Sequence, residues 1–278
     1  MRHPEWIKVK STGTHETRKV LRRYGVSTVC EEAKCPNQGA CFSQGTATFL
    51  ILGDRCTRNC SFCAVETADP LPPDPYEPER VADAVQELGL KYVVVTSVTR
   101  DDLPDGGAVQ FANTINAVRN KINVINIEVL TPDFKGDQEA LSTVLDAGPD
   151  VFNHNVETVP RLYSVVRPMA DYRLSINTVK RARQLYPDIK TKSGLMLGLG
   201  EAESEVLAVM NDLREADCDF LTIGQYLRPR RVNIAVAEYI KPEVFEKYRA
   251  RGLEMGFRAV ASSPLTRSSM NASAMFAG

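Results

Sequence analysis

From residue 46 to residue 256 the chain alternates short runs of apolar, often β-branched residues with longer stretches of helical spacing, and this alternation restricts the fold more than any other feature. The runs at 47–53, 91–98, 123–130, 150–157, 189–197 and 219–226 read as strands, and the stretches at 79–90, 108–119, 137–146, 175–185, 203–216 and 242–255 read as helices. In the first helix Val81, Ala84, Val85 and Leu88 share one side. Six βα units predict an α/β fold with a parallel sheet, because parallel neighbours need a crossover between them. They are two units short of a closed eightfold barrel; spacing alone leaves a doubly wound open sheet as the alternative. A chain of 278 residues, 43% apolar and 25% charged, supports one core. In either architecture the ligand site lies at the carboxyl ends of the strands.

The flanks lack such a period. Residues 1–45 are punctuated by Gly13, Gly25, Pro36, Gly39 and Gly45 and read as an extension laid over the core, with one helical turn at 31–34 that presents Cys30 and Cys35 from its ends and is stopped by Pro36. Residues 257–278 read as a tail. Extension, core at 46–256 and tail are expected to form one structural domain. The start of the chain lacks the apolar core of a secretory signal, and no apolar run is long enough to span a bilayer, so a cytoplasmic protein is expected. Lysine and arginine total 34 against 35 acidic residues, which gives no reason to expect nucleic acid or a membrane surface as partner.

Six of the seven cysteines fall between Cys30 and Cys63 in two unlike triplets. The first reads C-E-E-A-K-C-P-N-Q-G-A-C and holds Cys30, Cys35 and Cys41; the second reads C-T-R-N-C-S-F-C and holds Cys56, Cys60 and Cys63. In a reducing compartment such grouping favours metal ligation over disulfides. The second spacing lets three thiolates meet on a compact four-iron cube and leaves one iron open to a small chelating molecule. Structural zinc is the rival, but it takes four cysteine or histidine ligands in paired short spacings, and neither triplet has a histidine beside it. Cys218 stands alone and reads as a small buried hydrophobe.

Polar residues collect at the predicted strand ends. Thr96, Ser97, Arg100 and Asp102 follow the second strand. The fourth runs into N-H-N-V-E-T, where alternation puts Asn153, Asn155 and Glu157 on one face, suited to nucleoside hydroxyls and an amino group, and His154 on the other. A polar layer satisfying itself inside a barrel is the bland alternative. In G-L-M-L-G-L-G-E, Gly198 permits close approach of backbone to a ligand, and strand packing asks for the same residue. The sixth strand ends in Gly224, Gln225 and Tyr226, which read as ligand contacts or as packing.

The spacing C-x-x-x-C-x-x-C with Phe62 before the last cysteine resembles the radical S-adenosylmethionine enzymes. Both triplets, together with T-S-V-T-R-D-D-L-P-D-G-G-A, N-H-N-V-E-T, K-S-G-L-M-L-G-L-G-E and R-S-S at 267–269, resemble the lipoyl synthase family over nearly the whole chain. The resemblance implies a partial (β/α)6 TIM-like barrel with an N-terminal cysteine-bearing extension and a C-terminal tail. It implies two 4Fe-4S clusters, one on Cys56, Cys60 and Cys63 that binds S-adenosylmethionine, and an auxiliary one on Cys30, Cys35, Cys41 and Ser269. Gly194, Met196, Gly198 and Glu201 fit the superfamily's G-x-I-x-G-x-x-E with Met for isoleucine. Phe62, Ser97, Asn153, Asn155, Glu157, Gly198 and Gln225 are the implied cofactor contacts, and no side chain is assigned as a proton-transfer catalyst. The implied reaction inserts two sulfur atoms at C6 and C8 of an octanoyl group on a carrier-protein lysine, the sulfur coming from the auxiliary cluster. Implied partners are the octanoylated lipoyl carrier domain of E2 subunits or of the glycine cleavage H protein, a reduced ferredoxin or flavodoxin-type donor, and an iron-sulfur carrier; a monomer is expected. Met270 stands where the family usually has tyrosine, and Asn233 where its R-P-x-x-x-H pattern has histidine.

Overall fold

A computed structural model describes residues 4–7, 15–43 and 47–277. The predicted glycine breaks at 13 and 45, the boundary at 46 and most of the first ten residues lie outside the described residues. The chain divides into two compact units, Lys10–Arg58 with Ala64–Phe152, and Met1–Val9 with Asn59–Cys63 and Asn153–Gly278.

The first unit begins with α1 (His15–Tyr24), β1 (Ser27–Thr28), α2 (Val29–Glu32) and α3 (Gln38–Ser43). The extension therefore carries α1, α2 and α3 where a single helical turn is expected. Thr17, Val20 and Leu21 form the inner face of α1, and the Thr17 hydroxyl donates to the Phe42 carbonyl of α3 at 2.6 Å. The helix is ten residues long, so its amphipathic period is too short to stand out as a sustained one. The turn predicted at 31–34 is displaced: α2 carries Cys30 within it, and Cys35 lies beyond its end, its N–H donating to the Cys30 carbonyl at 3.0 Å.

There follow β2 (Thr48–Ile51), β3 (Arg55–Cys56), β4 (Glu66–Thr67), α4 (Glu77–Glu87), β5 (Tyr92–Ser97), α5 (Ala108–Lys121), β6 (Asn126–Leu130), α6 (Gln138–Asp146) and β7 (Val151–Asn153), whose last residue belongs to the second unit. The strand order is β1-β2-β5-β6-β7. β1 is antiparallel to β2, while β2, β5 and β6 are parallel, with Phe49 opposite Val95 and Val95 opposite Val129. Y-V-V-V-T-S in β5 is the β-branched run that a sheet covered on both faces demands; Val93, Val95, Ile127 and Val129 have no exposed surface. Asp137 caps α6 by accepting from the N–H groups of Glu139 and Ala140. Gly107 opens α5 with φ +91°, and a Cβ there would overlap Leu52, so this turn takes only glycine.

In the second unit a 3-10 turn at Pro160–Leu162 leads into α7 (Tyr163–Val166), then α8 (Tyr172–Leu185), β8 (Lys190–Leu197), α9 (Glu203–Glu215), β9 (Phe220–Gln225), α10 (Pro242–Glu254), β10 (Ala259–Ser263) and α11 (Ala272–Ala277). β8, β9 and β10 are parallel neighbours, with Leu195 opposite Ile223 and Val260 opposite Leu221. The tail thus contributes a strand and a short helix where no periodic signal is visible. Leu195, Leu197, Val209, Met210, Leu213, Leu221, Ile223 and Phe245 form the core between strands and helices. The strand predicted at 150–157 stops at Asn153; Glu157, at φ +64°, turns the chain and makes a single parallel bridge to Leu195. No helix among the described residues is long and apolar enough to cross a membrane.

Candidate active site

In the first unit the second cysteine triplet begins on β3. The Cys56 sulfur accepts from the backbone N–H groups of Arg58 at 3.5 Å and Thr99 at 3.3 Å, the latter just past the end of β5. Two backbone N–H groups thus fix the position of this sulfur. The loop is tied to the β5 end by Thr57, whose N–H and hydroxyl donate to the Thr99 carbonyl at 3.1 and 2.9 Å and whose hydroxyl accepts from the Asp101 N–H at 3.0 Å. Arg58, only 6% exposed, forks onto Asp101 at 2.7 and 3.0 Å and onto Asp133 with two bonds of 2.7 Å. Burial by itself lowers the pKa of a guanidinium; here the bonds to Asp133 and Asp101 raise it, so the charge is retained. Arg100 is equally buried and forks onto Asp102 at 2.9 and 2.8 Å, and Thr96 donates to the Leu130 carbonyl at 2.8 Å, so both brace the strand ends. Ser97 ends β5 with a buried hydroxyl that has no hydrogen-bond partner.

The second unit holds the rest of the same loop. The Cys63 N–H donates to the Cys60 carbonyl at 3.1 Å, and the Ser61 N–H donates to the Val166 carbonyl at 3.0 Å. The Asn233 amide donates to the carbonyls of Ser61 at 3.1 Å and Cys63 at 2.7 Å, and the Ile234 N–H donates to that of Ser61 at 3.0 Å. Asn233, in the place of the expected histidine, thereby anchors the loop. Phe62 packs against the buried cluster of Val166, Leu199 and Tyr226. Arg167 is buried; burial opposes its charge, but Tyr163, Glu157 and Cys60 beside it raise its pKa. Its Nη1 donates to the carbonyl of Asn155 at 3.1 Å and to the hydroxyls of Tyr163 at 3.1 Å and Ser175 at 3.3 Å, while its Nε has no partner.

Asn153, Asn155 and Glu157 do meet, though not by alternation. The Asn153 amide donates to the Ser268 hydroxyl at 2.8 Å, that hydroxyl donates to Asn155 at 3.0 Å, and the Asn155 amide donates to Glu157 at 3.1 Å. Burial pushes the Glu157 carboxyl up, and Arg167, Asn155 and Arg267 draw it part of the way back. Past β8, Glu201 accepts from the N–H groups of Gly198 at 2.5 Å and Leu199 at 2.9 Å. A Cβ on Gly198 would overlap the Gln225 amide and the Glu238 carbonyl. Gln225 is fully buried; its amide nitrogen donates to the carbonyls of Leu197, Tyr226 and Glu238 and its oxygen accepts from Ile240 at 2.8 Å, so it braces the strand end beneath Gly198. Ser269 lies half-buried in the turn after β10.

The first triplet lies wholly in the first unit, and none of the seven cysteines forms a disulfide. The Cys30 thiol is raised to about 12, first by burial and then by charge on Cys35 or Cys41, while Thr48 opposes the shift. The Cys41 thiol is raised by burial and by Cys35. Cys35 acts on both Cys30 and Cys41, so the three side chains lie near one another. Among the described residues no three Cys, His, Asp or Glu side chains gather around a single ion; a single ion needs ligands within about 2.3 Å, whereas cluster thiolates stand at the corners of a cube. Arg58 and Arg167 escaped the sequence reading, since an arginine in a loop carries the same signal as a solvated one; Asn233 stands out there only for occupying the place where histidine is expected, not for the bonds it makes.

Residues 50–213 match the family model of the Radical SAM superfamily. The chain is 57% identical over 274 residues to a lipoyl synthase of Caldanaerobacter subterraneus subsp. tengcongensis, covering 98% of this chain and 96% of that one. It is 53% identical over 272 residues to that of Rubrobacter xylanophilus, covering 97% and 85%, and 49% identical over 283 residues to that of Haemophilus influenzae, covering 100% and 88%. Similar solved structures include methylornithine synthase, with TM-score 0.55 at 13% identity over 94% of this chain and 85% of that one. The FeFe-hydrogenase maturase HydG from Carboxydothermus hydrogenoformans gives 0.63 at 18% over 82% and 55%. These two share the fold alone: an α/β partial (β/α)6 TIM-like barrel, here with an N-terminal cysteine-bearing extension and a C-terminal tail. With near-complete coverage at such identity and both triplets in place, the chain belongs to the lipoyl synthase family of the radical SAM superfamily.

Proposed function

We propose that the chain makes the lipoyl cofactor by radical-mediated insertion of two sulfur atoms at C6 and C8 of a protein-bound octanoyl-lysine. The observation that carries this reading is the pair of cysteine triplets, with no disulfide in either, in a chain 57% identical to a lipoyl synthase. Cys56, Cys60 and Cys63 hold one 4Fe-4S cluster, and Cys30, Cys35, Cys41 and Ser269 hold an auxiliary one. The first, when bound, supplies the electron that cleaves S-adenosylmethionine to a carbon radical able to break an unactivated C–H bond, chemistry that no side chain provides. The auxiliary cluster supplies the sulfur.

The chain's own residues position and exclude water. Arg58, Thr57 and Asn233 fix the loop that bears Cys56, Cys60 and Cys63. Phe62, Ser97, Asn153, Asn155, Glu157 and Gly198 receive S-adenosylmethionine; the orphan hydroxyl of Ser97 and the close-packed Gly198 support that role, with Gln225 bracing Gly198. Residues 1–45 carry the auxiliary cysteines, 46–256 the barrel and 257–278 the R-S-S tail, as one domain. The protein acts as a cytoplasmic monomer on an octanoylated lipoyl carrier domain, with a ferredoxin or flavodoxin-type donor and an iron-sulfur carrier, and without nucleic acid or membrane. The test is an anaerobic assay on an octanoyl-lysine peptide. Two deoxyadenosines and one dithiolane per product are expected; deoxyadenosine without sulfur insertion, or turnover intact in Cys35→Ala, would overturn the reading.

A further inference from the structure

The tail that carries R-S-S is fastened at one well-defined place. A Cβ on Gly224 would overlap the Thr266 carbonyl, so glycine at the end of β9 lets the tail lie directly on it, and the Gln225 N–H donates to the Pro264 carbonyl at 3.3 Å. Two residues on, the Ser268 hydroxyl is held on both sides: it accepts from the Asn153 amide at 2.8 Å and donates to Asn155 at 3.0 Å. Asn155 is held in turn by Glu157 at 3.1 Å. Asn153 has no exposed surface, so this anchor belongs to the core and not to a fluctuating surface. Ser268 uses its only proton and a lone pair here, and its half-buried neighbour Ser269 lies in the same turn, closed by the Met270 N–H donating to the Arg267 carbonyl at 3.0 Å.

From this geometry we infer that Asn153 and Asn155 are positioning residues for the tail, gripping Ser268 and thereby presenting Ser269. The inference rests on the reading of Ser269 as a cluster ligand, and it assigns its neighbouring serine a distinct task. A serine oxygen is a weak match for cluster iron, so its orientation has to be imposed by the protein, and the asparagine pair imposes it.

Hydrogen exchange on the metal-free protein tests the grip without any cluster. In Ser268→Ala and in Asn155→Ala the amides of Met270, Ala274 and Met275 should exchange about tenfold faster, the effect of losing one or two ordinary hydrogen bonds, while β8 and β9 stay protected. The double variant should exchange no faster than Ser268→Ala alone, because that single change already removes the Asn155 bond. Ser268→Thr, which keeps the hydroxyl, should restore protection. In the cluster-loaded protein, Ser268→Ala should let an added small thiol alter the electron paramagnetic resonance signal of the auxiliary cluster, and Ser268→Thr should not. Unchanged tail exchange in both single variants, or loosening that spreads equally to β8 and β9, overturns the proposal. A Ser269→Ala variant whose iron spectrum matches the unmodified protein would instead defeat the ligand reading and leave the exchange result to decide the grip.

Discussion

Replacing Arg58 by alanine removes four hydrogen bonds of 2.7–3.0 Å and leaves two carboxylates facing each other, Asp133 with 1% of its side chain exposed and Asp101 with 16%. Breaking a buried ion pair costs about 3–5 kcal/mol, mostly as the penalty of the stranded charge. Asp133 keeps the Lys135 N–H at 3.0 Å, and the Lys135 ammonium, 63% exposed and 4.0 Å from Asp101, is screened by water and offsets little. The loss should therefore fall at about 3–5 kcal/mol, read as a shift in the urea midpoint of the metal-free protein followed by far-ultraviolet circular dichroism. Arg58→Lys keeps the charge but cannot fork onto two carboxylates, and should recover less than half of the loss. Because Arg58 sits midway between Cys56 and Cys60, its N–H on one sulfur, the same variants should retain less iron after reconstitution. A loss below about 1 kcal/mol in Arg58→Ala would show that the acid pair tolerates solvent and would refute the clamp.

The βα alternation was legible because its physics is local: Y-V-V-V-T-S and N-I-E-V-L are β-branched runs, and α4, predicted at 79–90, forms at Glu77–Glu87. The cysteine triplets were legible because spacing along the chain is itself the constraint. Elsewhere the determinants are distant in sequence. Strand β10, A-V-A-S-S, has one large apolar residue and is made a strand by β9 lying beside it. Asn153, Asn155 and Glu157 were expected to converge because strands alternate. They converge instead around Ser268, more than a hundred residues later, after a left-handed turn at Glu157 that no alternation allows. The brackets of the cysteine loop are hardest to see: Arg58 finds Asp133 across 75 residues and Asn233 finds Ser61 across 172, so their meaning exists only in the folded chain.

Three further perturbations separate the other supports. Gly198→Ala forces a side chain into φ +99° and against Gln225, costing at least the 1–2 kcal/mol of a left-handed residue; weaker S-adenosylmethionine binding by calorimetry should accompany it, and unchanged binding would remove Gly198 from the cofactor set. Asn233→Ala deletes the bonds to Ser61 and Cys63, each worth about 1 kcal/mol, so a chelator should strip iron from the loaded protein several-fold faster; an unchanged stripping rate would show that Ile234 alone suffices. Cys218 tests the core of the second unit through pH. Burial, with Asp219 adding to it, pushes this thiol from 9.0 up to about 12. The folded state therefore holds the proton more tightly than the unfolded state, and the stability this contributes is complete below pH 9.0 and lost as pH rises through about 12. Wild type should lose about 1.4 kcal/mol relative to Cys218→Ala on going from pH 8 to pH 10, and Cys218 should resist iodoacetamide at pH 8 until urea unfolds the chain. Ready alkylation of Cys218 in the native protein, or a stability difference flat across that range, would mean that water reaches the strand β9 entry and that the burial of its thiol is not what holds the proton.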